Sequence, residues 1–215
     1  MGQAALTFVA TLGMAGALAL ALVPRLGSFL GQSDDLAPSD ATLLTYSVDS
    51  FARAAGRQAA MEVAIRRYLS GESKVILVGV LQTLPDEDDA SAPGYETRVQ
   101  PTRRMMERRG VPAEAIEVLT AAENEHGEAE ALRRVIEARG WRQVTVLAPD
   151  VRSRRTRGAM RQATASTGAE IRVVAVSDPR LPLGDWWRTR RGVARVSEEA
   201  VKLGYYWLRG WAAFP

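Results

Sequence analysis

Five arginines stand close together in the second half of this 215-residue chain, and their side chains are suited to binding anions. They are Arg152, Arg154, Arg155, Arg157 and Arg161. A guanidinium group binds phosphate or carboxylate through two parallel hydrogen bonds. The arginines follow an apolar run at residues 143–148 that is typical of a buried strand. We therefore predict an anion site, with a solvated basic helix face as the alternative.

The other residues that could do chemistry form no recognisable catalytic motif. His126, the only histidine, lies in Glu-His-Gly-Glu, which does not match the zinc motif HExxH. The acidic turn at residues 86–89 lacks the alternating ligands and the glycine of an EF-hand loop. The sequence has no cysteine and no GxSxG, GxGxxG or Walker motif. It thus predicts no catalytic residue, no metal site and no cofactor.

From about residue 41, short apolar runs alternate with helical patterns. The predicted strands are 42–47, 75–81, 116–119, 143–148 and 171–177, and the predicted helices are 51–69, 95–109, 125–139, 153–167 and 196–211. Strands that alternate with helices at this spacing form βαβ units. We therefore expect one α/β domain over residues 41–215, a three-layer fold with a mainly parallel Rossmann-like sheet. Any ligand should bind beyond the carboxyl ends of its strands.

An apolar segment before the domain predicts a transmembrane helix. Residues 4–23 carry no charge, and a helix of this length reaches about 30 Å, the thickness of the hydrocarbon core. We predict a retained anchor in the lipid bilayer over residues 1–26 and a linker rich in Gly, Ser, Asp and Pro over 27–40. A cleaved signal peptide is the alternative.

Small residues lie close together on this predicted helix. They are Ala10, Gly13, Gly16 and Ala17. Small residues let the backbone of a neighbouring membrane helix approach closely, so they predict packing against another subunit. The alternative is that they face lipid without consequence.

The carboxyl-terminal region is rich in aromatic residues. They include Trp186, Trp187, Tyr206, Trp207 and Trp211. Aromatic rings with one polar edge suit a membrane interface or a partner surface. The alternative is ordinary packing at the edge of the sheet.

The basic composition does not predict binding to nucleic acid. The net charge is +3 and the pI is near 9.6, but most basic residues alternate with acidic ones in segments such as 132–140. The aromatic residues that would stack on bases lie away from the arginines. We expect no nucleic-acid partner.

Several short stretches follow one another in a characteristic order between residues 41 and 210. They are 75–79, 95–97, 109–112, Glu128-Ala129, 154–157, 185–188 and 199–207. In this order and spacing they resemble the YdcF/SanA/ElyC-like family of bacterial envelope proteins. The resemblance implies a three-layer α/β domain on a membrane helix, outside the cytoplasm, with a role in envelope polysaccharide or barrier maintenance. Glu96 and the arginines at 154, 155 and 157 match positions of that family. Together with Arg152, they are the residues that we predict to bind a ligand.

The chain departs from this family where polar residues are usual. Glycine-rich turns after the first two strands are replaced by 46–50 and 78–80. Hydroxyl residues before the Glu-Ala pair align with Glu123 and Glu125, and a histidine after the fourth strand aligns with Arg152. Acids thus replace groups that could meet an anion, and arginine replaces the residue best suited to proton transfer.

The degenerate site predicts a non-catalytic protein. We expect an accessory or structural subunit of a bacterial membrane protein complex, for example a respiratory or photosynthetic one. Its partners would be other membrane subunits, its location the inner membrane with one span, and its domain periplasmic. The alternative is an envelope-biogenesis enzyme or a binding protein for an anionic or nucleotide-like metabolite.

Overall fold

The computed structural model describes residues 24–45, 55–81, 95–121 and 124–213. Within them the strands are β1 (Ser39–Leu44), β2 (Ser73–Leu81), β3 (Ile116–Ala121), β4 (Gln143–Pro149) and β5 (Glu170–Val176). The long helices are α1 (Ala55–Leu69), α2 (Tyr95–Arg108), α3 (Glu125–Arg139), α4 (Ser153–Thr164) and α5 (Arg190–Leu208). Residues 24–30 are also helical.

The strands form one parallel sheet in the order β3-β2-β1-β4-β5. In the central strand β1, Leu43 pairs with Leu77 on one side and Val146 on the other. Val, Ile and Leu dominate the strands, as expected where both faces of a sheet are covered. The predicted α/β class and parallel sheet are confirmed. The strand order reverses direction between β1 and β4, which is the topological switch point of such sheets.

Apolar side chains pack on both faces of the sheet. Leu44 belongs to a buried cluster with residues of α1 and α2, such as Ile65. Leu43 belongs to a second cluster, with Leu132 of α3 and Met160 of α4. Successive strand residues point to opposite faces, so these two leucines anchor different helical layers. The helices therefore cover the sheet from both sides, as three layers.

Polar caps decide where two helices begin. α3 begins at Glu125 because the Asn124 side chain accepts a hydrogen bond from a backbone N–H of the first turn at 3.1 Å. Thr189 caps α5 in the same way at 3.0 Å. α5 therefore begins at Arg190, earlier than the predicted residue 196. The periodicity of apolar residues gives no sign of this first turn because it is rich in arginine.

The stretch 27–40, which the sequence predicts as a linker, lies on the folded domain. Leu30 is only 1% exposed and packs in a cluster with Trp186 and residues of α5. Gly27 comes so close to Trp186 that an added Cβ would lie 2.6 Å from the indole ring. The glycine is thus required by a close contact with the domain.

Asp34 joins the same stretch to the edge of the sheet. Its backbone N–H donates to the Val173 carbonyl of β5 at 2.8 Å, and its carboxylate accepts from the Val173 N–H at 2.9 Å. β1 then begins at Ser39, so the predicted strand 42–47 is displaced toward the amino terminus. The predicted linker therefore contributes its hydrogen bonds and its last residues to the sheet.

The predicted membrane span lies almost wholly outside the described residues. Its small residues Ala10, Gly13, Gly16 and Ala17 lie outside them as well. In the part of the chain that the structure describes, no helix combines the length and apolar character needed to cross a membrane.

Candidate functional site

The connection from β4 to α4 separates the predicted arginine cluster into two groups. A short 3-10 turn, Asp150–Arg152, leads directly into α4. Arg152 and Arg155 are 9% and 4% exposed, whereas Arg154 and Arg157 are only partly buried. Residues on a helix share a face when they are three or four apart. The predicted cluster is therefore a buried pair and an outward-facing group.

Arg155 joins acidic side chains from two other helices. Its guanidinium pairs with Glu125 at the start of α3. It also donates to one oxygen of Glu199 in α5, from Nη2 at 2.8 Å and from Nε at 3.0 Å. The other Glu199 oxygen lies 3.0 Å from Nε of Arg152. We call these two arginines and two glutamates the buried charge network, and their formal charges cancel.

The network is held in place by further contacts. Glu125 and Glu199 are 1% and 2% exposed. The Thr156 hydroxyl donates to Glu125, and the Arg155 guanidinium lies 5.0 Å from the centre of the Tyr206 ring. Burial lowers the pKa of Arg155, but the two carboxylates raise it by more, so it lies above its ordinary value. Arg155, predicted to bind a ligand, is thus occupied by the protein's own carboxylates.

The outward-facing arginines line a separate cleft. Arg154, Arg157 and Arg161 of α4 form one wall, and Gln32 and Trp207 contribute to the others. The volume of this arginine cleft is about 350 Å³. The fold therefore places the predicted arginines in two different environments.

Glu96 is the remaining predicted ligand-binding residue. It lies in the first turn of α2, and its side chain lies outside the described part of the chain. α2 packs against β2 on the face of the sheet opposite α4. The described residues therefore do not show Glu96 together with the arginines.

Asp150 is a candidate functional residue that the sequence reasoning did not single out. It directly follows β4, and its carboxylate accepts a hydrogen bond from the Val151 N–H at 2.7 Å. Burial is the main cause that raises its pKa, to about 6, and the nearby charge of Asp178 adds to the effect. The only sign of it in the sequence is its position, an aspartate immediately after a buried parallel strand.

A small cavity lies beside the buried charge network. Arg152, Asp178, Arg191, Arg195 and Glu199 contribute to its lining. Its volume of about 40 Å³ leaves room for a few water molecules. Sites for nucleotide-sized ligands usually measure about 300 Å³ or more. The described residues at this edge of the sheet therefore offer no space for such a ligand.

The predicted aromatic surface is divided between the interior and the exterior. Trp186 and Tyr206 are 5% and 6% exposed and belong to the core. Trp187, Trp207 and Trp211 are half-buried, and the Trp211 ring stacks on His126 at 4.5 Å. The first two rings are therefore packing residues, which corrects their prediction as interface residues. The other three retain some exposed surface.

Metal ligands are not grouped in the described part of the chain. There, no three His, Cys, Asp or Glu side chains lie together in an arrangement that could hold an ion. His126, the histidine considered as a ligand from the sequence, lies against an aromatic ring instead.

The fold and the network define a doubly wound α/β protein in which the arginines nearest the end of β4 are neutralised internally. Comparison with protein-family models, curated proteins and solved structures finds no match to this chain. The resemblance to the YdcF/SanA/ElyC-like family thus stays a prediction from its short motifs.

Proposed function

We propose that this chain is a non-catalytic, membrane-anchored accessory subunit of a bacterial membrane protein complex. The observation that carries the proposal is the buried charge network. It lies beyond the carboxyl end of β4, at the edge of the sheet where proteins of this topology ordinarily bind their ligands, and its formal charges cancel.

The network leaves its arginines little capacity to act on a substrate. An anion that approached Arg155 would have to displace Glu125 or Glu199, and a displaced Glu125 would be buried without a neighbouring cation. Separating a buried ion pair in this way costs several kcal/mol. The network thus supports a structural role for this edge of the sheet.

Two residues of the network are positions at which the chain departs from the family it resembles. Glu125 stands where that family has a hydroxyl residue, and Arg152 stands where it has a histidine. In the fold they are joined through Arg155 and Glu199. The departures are therefore mutually compensating, as expected for a scaffold that keeps its shape while its chemistry changes.

The membrane part of the proposal comes from the sequence. The uncharged segment 4–23 is long enough to span the hydrocarbon core, and its small residues suit a helix packed against other subunits. We place the anchor in the inner membrane with a periplasmic domain, in keeping with the family that the motifs resemble. A respiratory or photosynthetic complex is the class of partner we favour.

A second candidate function has one observation in its favour. Asp150 lies at the carboxyl edge of the sheet with a pKa raised to about 6, and residues with shifted pKa values in clefts are often functional. The chain would then be an envelope-biogenesis enzyme or a binding protein for an anionic or nucleotide-like metabolite. The adjoining cavity of about 40 Å³ would have to open widely to admit that ligand.

A pull-down from native membranes tests the accessory role. The full-length protein would be isolated in mild detergent, and the bound proteins would be identified and quantified by mass spectrometry. We expect a constant set of membrane subunits at fixed stoichiometry. A preparation that always contains this protein alone, as a monomer, would refute the accessory role and return attention to ligand screening at Asp150.

A further inference from the structure

The arginine cleft carries more positive charge than its own acidic group neutralises. Arg157 and Arg161 share a single carboxylate, that of Asp34. Within the described ranges no carboxylate pairs with Arg154, whose guanidinium donates to the Phe29 carbonyl and lies 3.8 Å from the centre of the Phe29 ring. These three arginines and one aspartate therefore leave two formal positive charges.

The arginines of the cleft have hydrogen-bonding capacity to spare. The Nε–H of Arg157 is buried and donates to no acceptor in the part of the chain that the structure describes. A buried donor without an acceptor is unfavourable. Burial and the positive charge of Arg157 also lower the pKa of Arg154, a sign that like charges are crowded. An anion in the cleft would relieve this crowding of positive charge.

The shape of the cleft depends on a glycine and a tryptophan. A Cβ at Gly158 would lie 2.7 Å from the Ala212 side chain, so the glycine lets the carboxyl-terminal segment pack directly on α4. Trp207 lines the same cleft, and its indole belongs to the kind of ring that is favoured at a membrane–water interface. Cationic and aromatic walls therefore face the same space.

The cleft also lies close in the chain to the predicted membrane span. Gln32, on its wall, is separated from residue 23 by a helical segment at 24–30. The intervening chain extends at most about 20 Å from the end of the span. The polar headgroup layer occupies about 5–8 Å beyond the hydrocarbon core, so this short connection can hold the cleft beside the headgroups, toward which long arginine side chains extend.

We propose that the arginine cleft binds the phosphate group of an anionic membrane phospholipid. Arg154 supplies a guanidinium without a carboxylate partner, Arg157 and Arg161 add charge, and the Trp207 ring contacts the lipid beside its phosphate. The inference rests on the membrane anchorage in the proposed function, but it does not depend on a partner complex.

The test measures lipid binding by the full-length protein in nonionic detergent. Phosphatidylglycerol or phosphatidylcholine would be added in mixed micelles, and native mass spectrometry would give the apparent affinity for each. We expect phosphatidylglycerol to bind at least about tenfold more tightly than phosphatidylcholine. Arg154→Gln should weaken the binding of phosphatidylglycerol by at least about tenfold, the usual effect of losing a charge-assisted hydrogen bond.

Two further variants separate recognition from misfolding. Asp34→Asn removes the carboxylate that, within the described residues, pairs with Arg157 and Arg161. It should tighten phosphatidylglycerol binding several-fold, a gain that a damaged fold would not produce. Arg103→Gln removes an arginine of α2, on the opposite face of the sheet, and should leave the affinity unchanged. Equal affinity of the Arg154→Gln variant and the natural protein overturns the proposal.

Glycerol 3-phosphate, offered without a lipid chain, distinguishes the two sources of phosphate. If it competes with phosphatidylglycerol at equal concentration and shows the same dependence on Arg154, the cleft takes a soluble phosphate compound and the lipid assignment is wrong. Lipid selectivity in a protein that purifies without partners would overturn only the accessory role. Partners without lipid selectivity would overturn only this inference.

Discussion

Replacing Arg155 with methionine is the most direct test of the buried charge network. Methionine keeps much of the length and apolar volume of the arginine stem, so the change mainly removes charge and hydrogen bonds. Glu199 keeps its contact with Arg152 at 3.0 Å. Glu125, which is 1% exposed, keeps only the Thr156 hydroxyl as a described partner. The variant therefore buries one carboxylate without a neighbouring cation.

The expected loss is large because the carboxylate that remains cannot reach water. Removing one partner of a buried ion pair typically costs about 3–5 kcal/mol. For a chain of this size, 1 kcal/mol shifts the melting temperature by about 2–4 °C, so we expect a decrease of roughly 6–20 °C.

The assay is thermal and urea unfolding of the full-length protein in mild detergent. Arg133→Met is the matched control, since Arg133 makes comparable ion pairs with Glu130 and Glu137 on the surface of α3. Exposed pairs contribute about 0–1 kcal/mol, so this variant should melt close to the natural protein. Adding Glu125→Gln to Arg155→Met should restore part of the lost stability.

Equal melting temperatures for Arg155→Met and Arg133→Met would refute the reasoning. Arg155 would then be replaceable without cost, as a ligand-binding residue in an empty site is. Internal ion pairs would then not be what holds Arg155 in place.

Four other variants probe three separate features of the fold, and the free energy of unfolding is measured for each. Asp150 has a pKa of about 6 against an ordinary value of 3.8, so the stability that its protonated form contributes is complete below pH 3.8 and is lost as the pH rises through 6. Asp150→Asn should therefore gain stability relative to the natural protein by up to about 3 kcal/mol between pH 4 and pH 7. A difference that stays constant with pH would contradict the raised pKa. Gly27→Ala should destabilise the protein by about 1–3 kcal/mol, because the added Cβ would lie 2.6 Å from Trp186. Gly204→Ala is the control, since Gly204 lies inside α5 with open space around it, and this variant should be more stable by about 0.5–1 kcal/mol. If Gly27→Ala were the more stable of the two variants, the close contact would be disproved. Arg67 is 2% exposed and donates to several hydroxyl and carbonyl oxygens at the amino end of the sheet. Arg67→Met should therefore lower the free energy of unfolding by about 2–4 kcal/mol. A decrease of less than about 1 kcal/mol would show that those acceptors find other donors.

The sequence predicts most of the architecture because the sheet is covered on both faces. Buried parallel strands have continuous apolar sequences, such as Val75 to Leu81, and the helices between them have clear polar faces. Boundaries fail where polar residues decide them, as at Ser39, which begins β1, and Thr189, which caps α5.

The site was less accessible to sequence reasoning because its partners are far apart along the chain. Five neighbouring arginines indicate anion binding, yet Arg155 meets Glu199 across 44 positions. Nothing local distinguishes that glutamate from the exposed Glu198 beside it. Helical periodicity alone could have separated Arg152 and Arg155 from Arg154 and Arg157, but the inward direction is set only by packing against α3 and α5.

The attachment of residues 27–38 to the domain limits how far the domain could lie from a membrane. A flexible linker of this length would have a root-mean-square end-to-end distance of about 20 Å. Here Leu30 packs beside Trp186, and the Asp34 carboxylate accepts a hydrogen bond from β5. If residues 4–23 span the bilayer, only the few residues between position 23 and Leu30 separate that span from the folded domain. The domain would then stay close to the membrane surface, and lengthening this short connection should be the way to move it away.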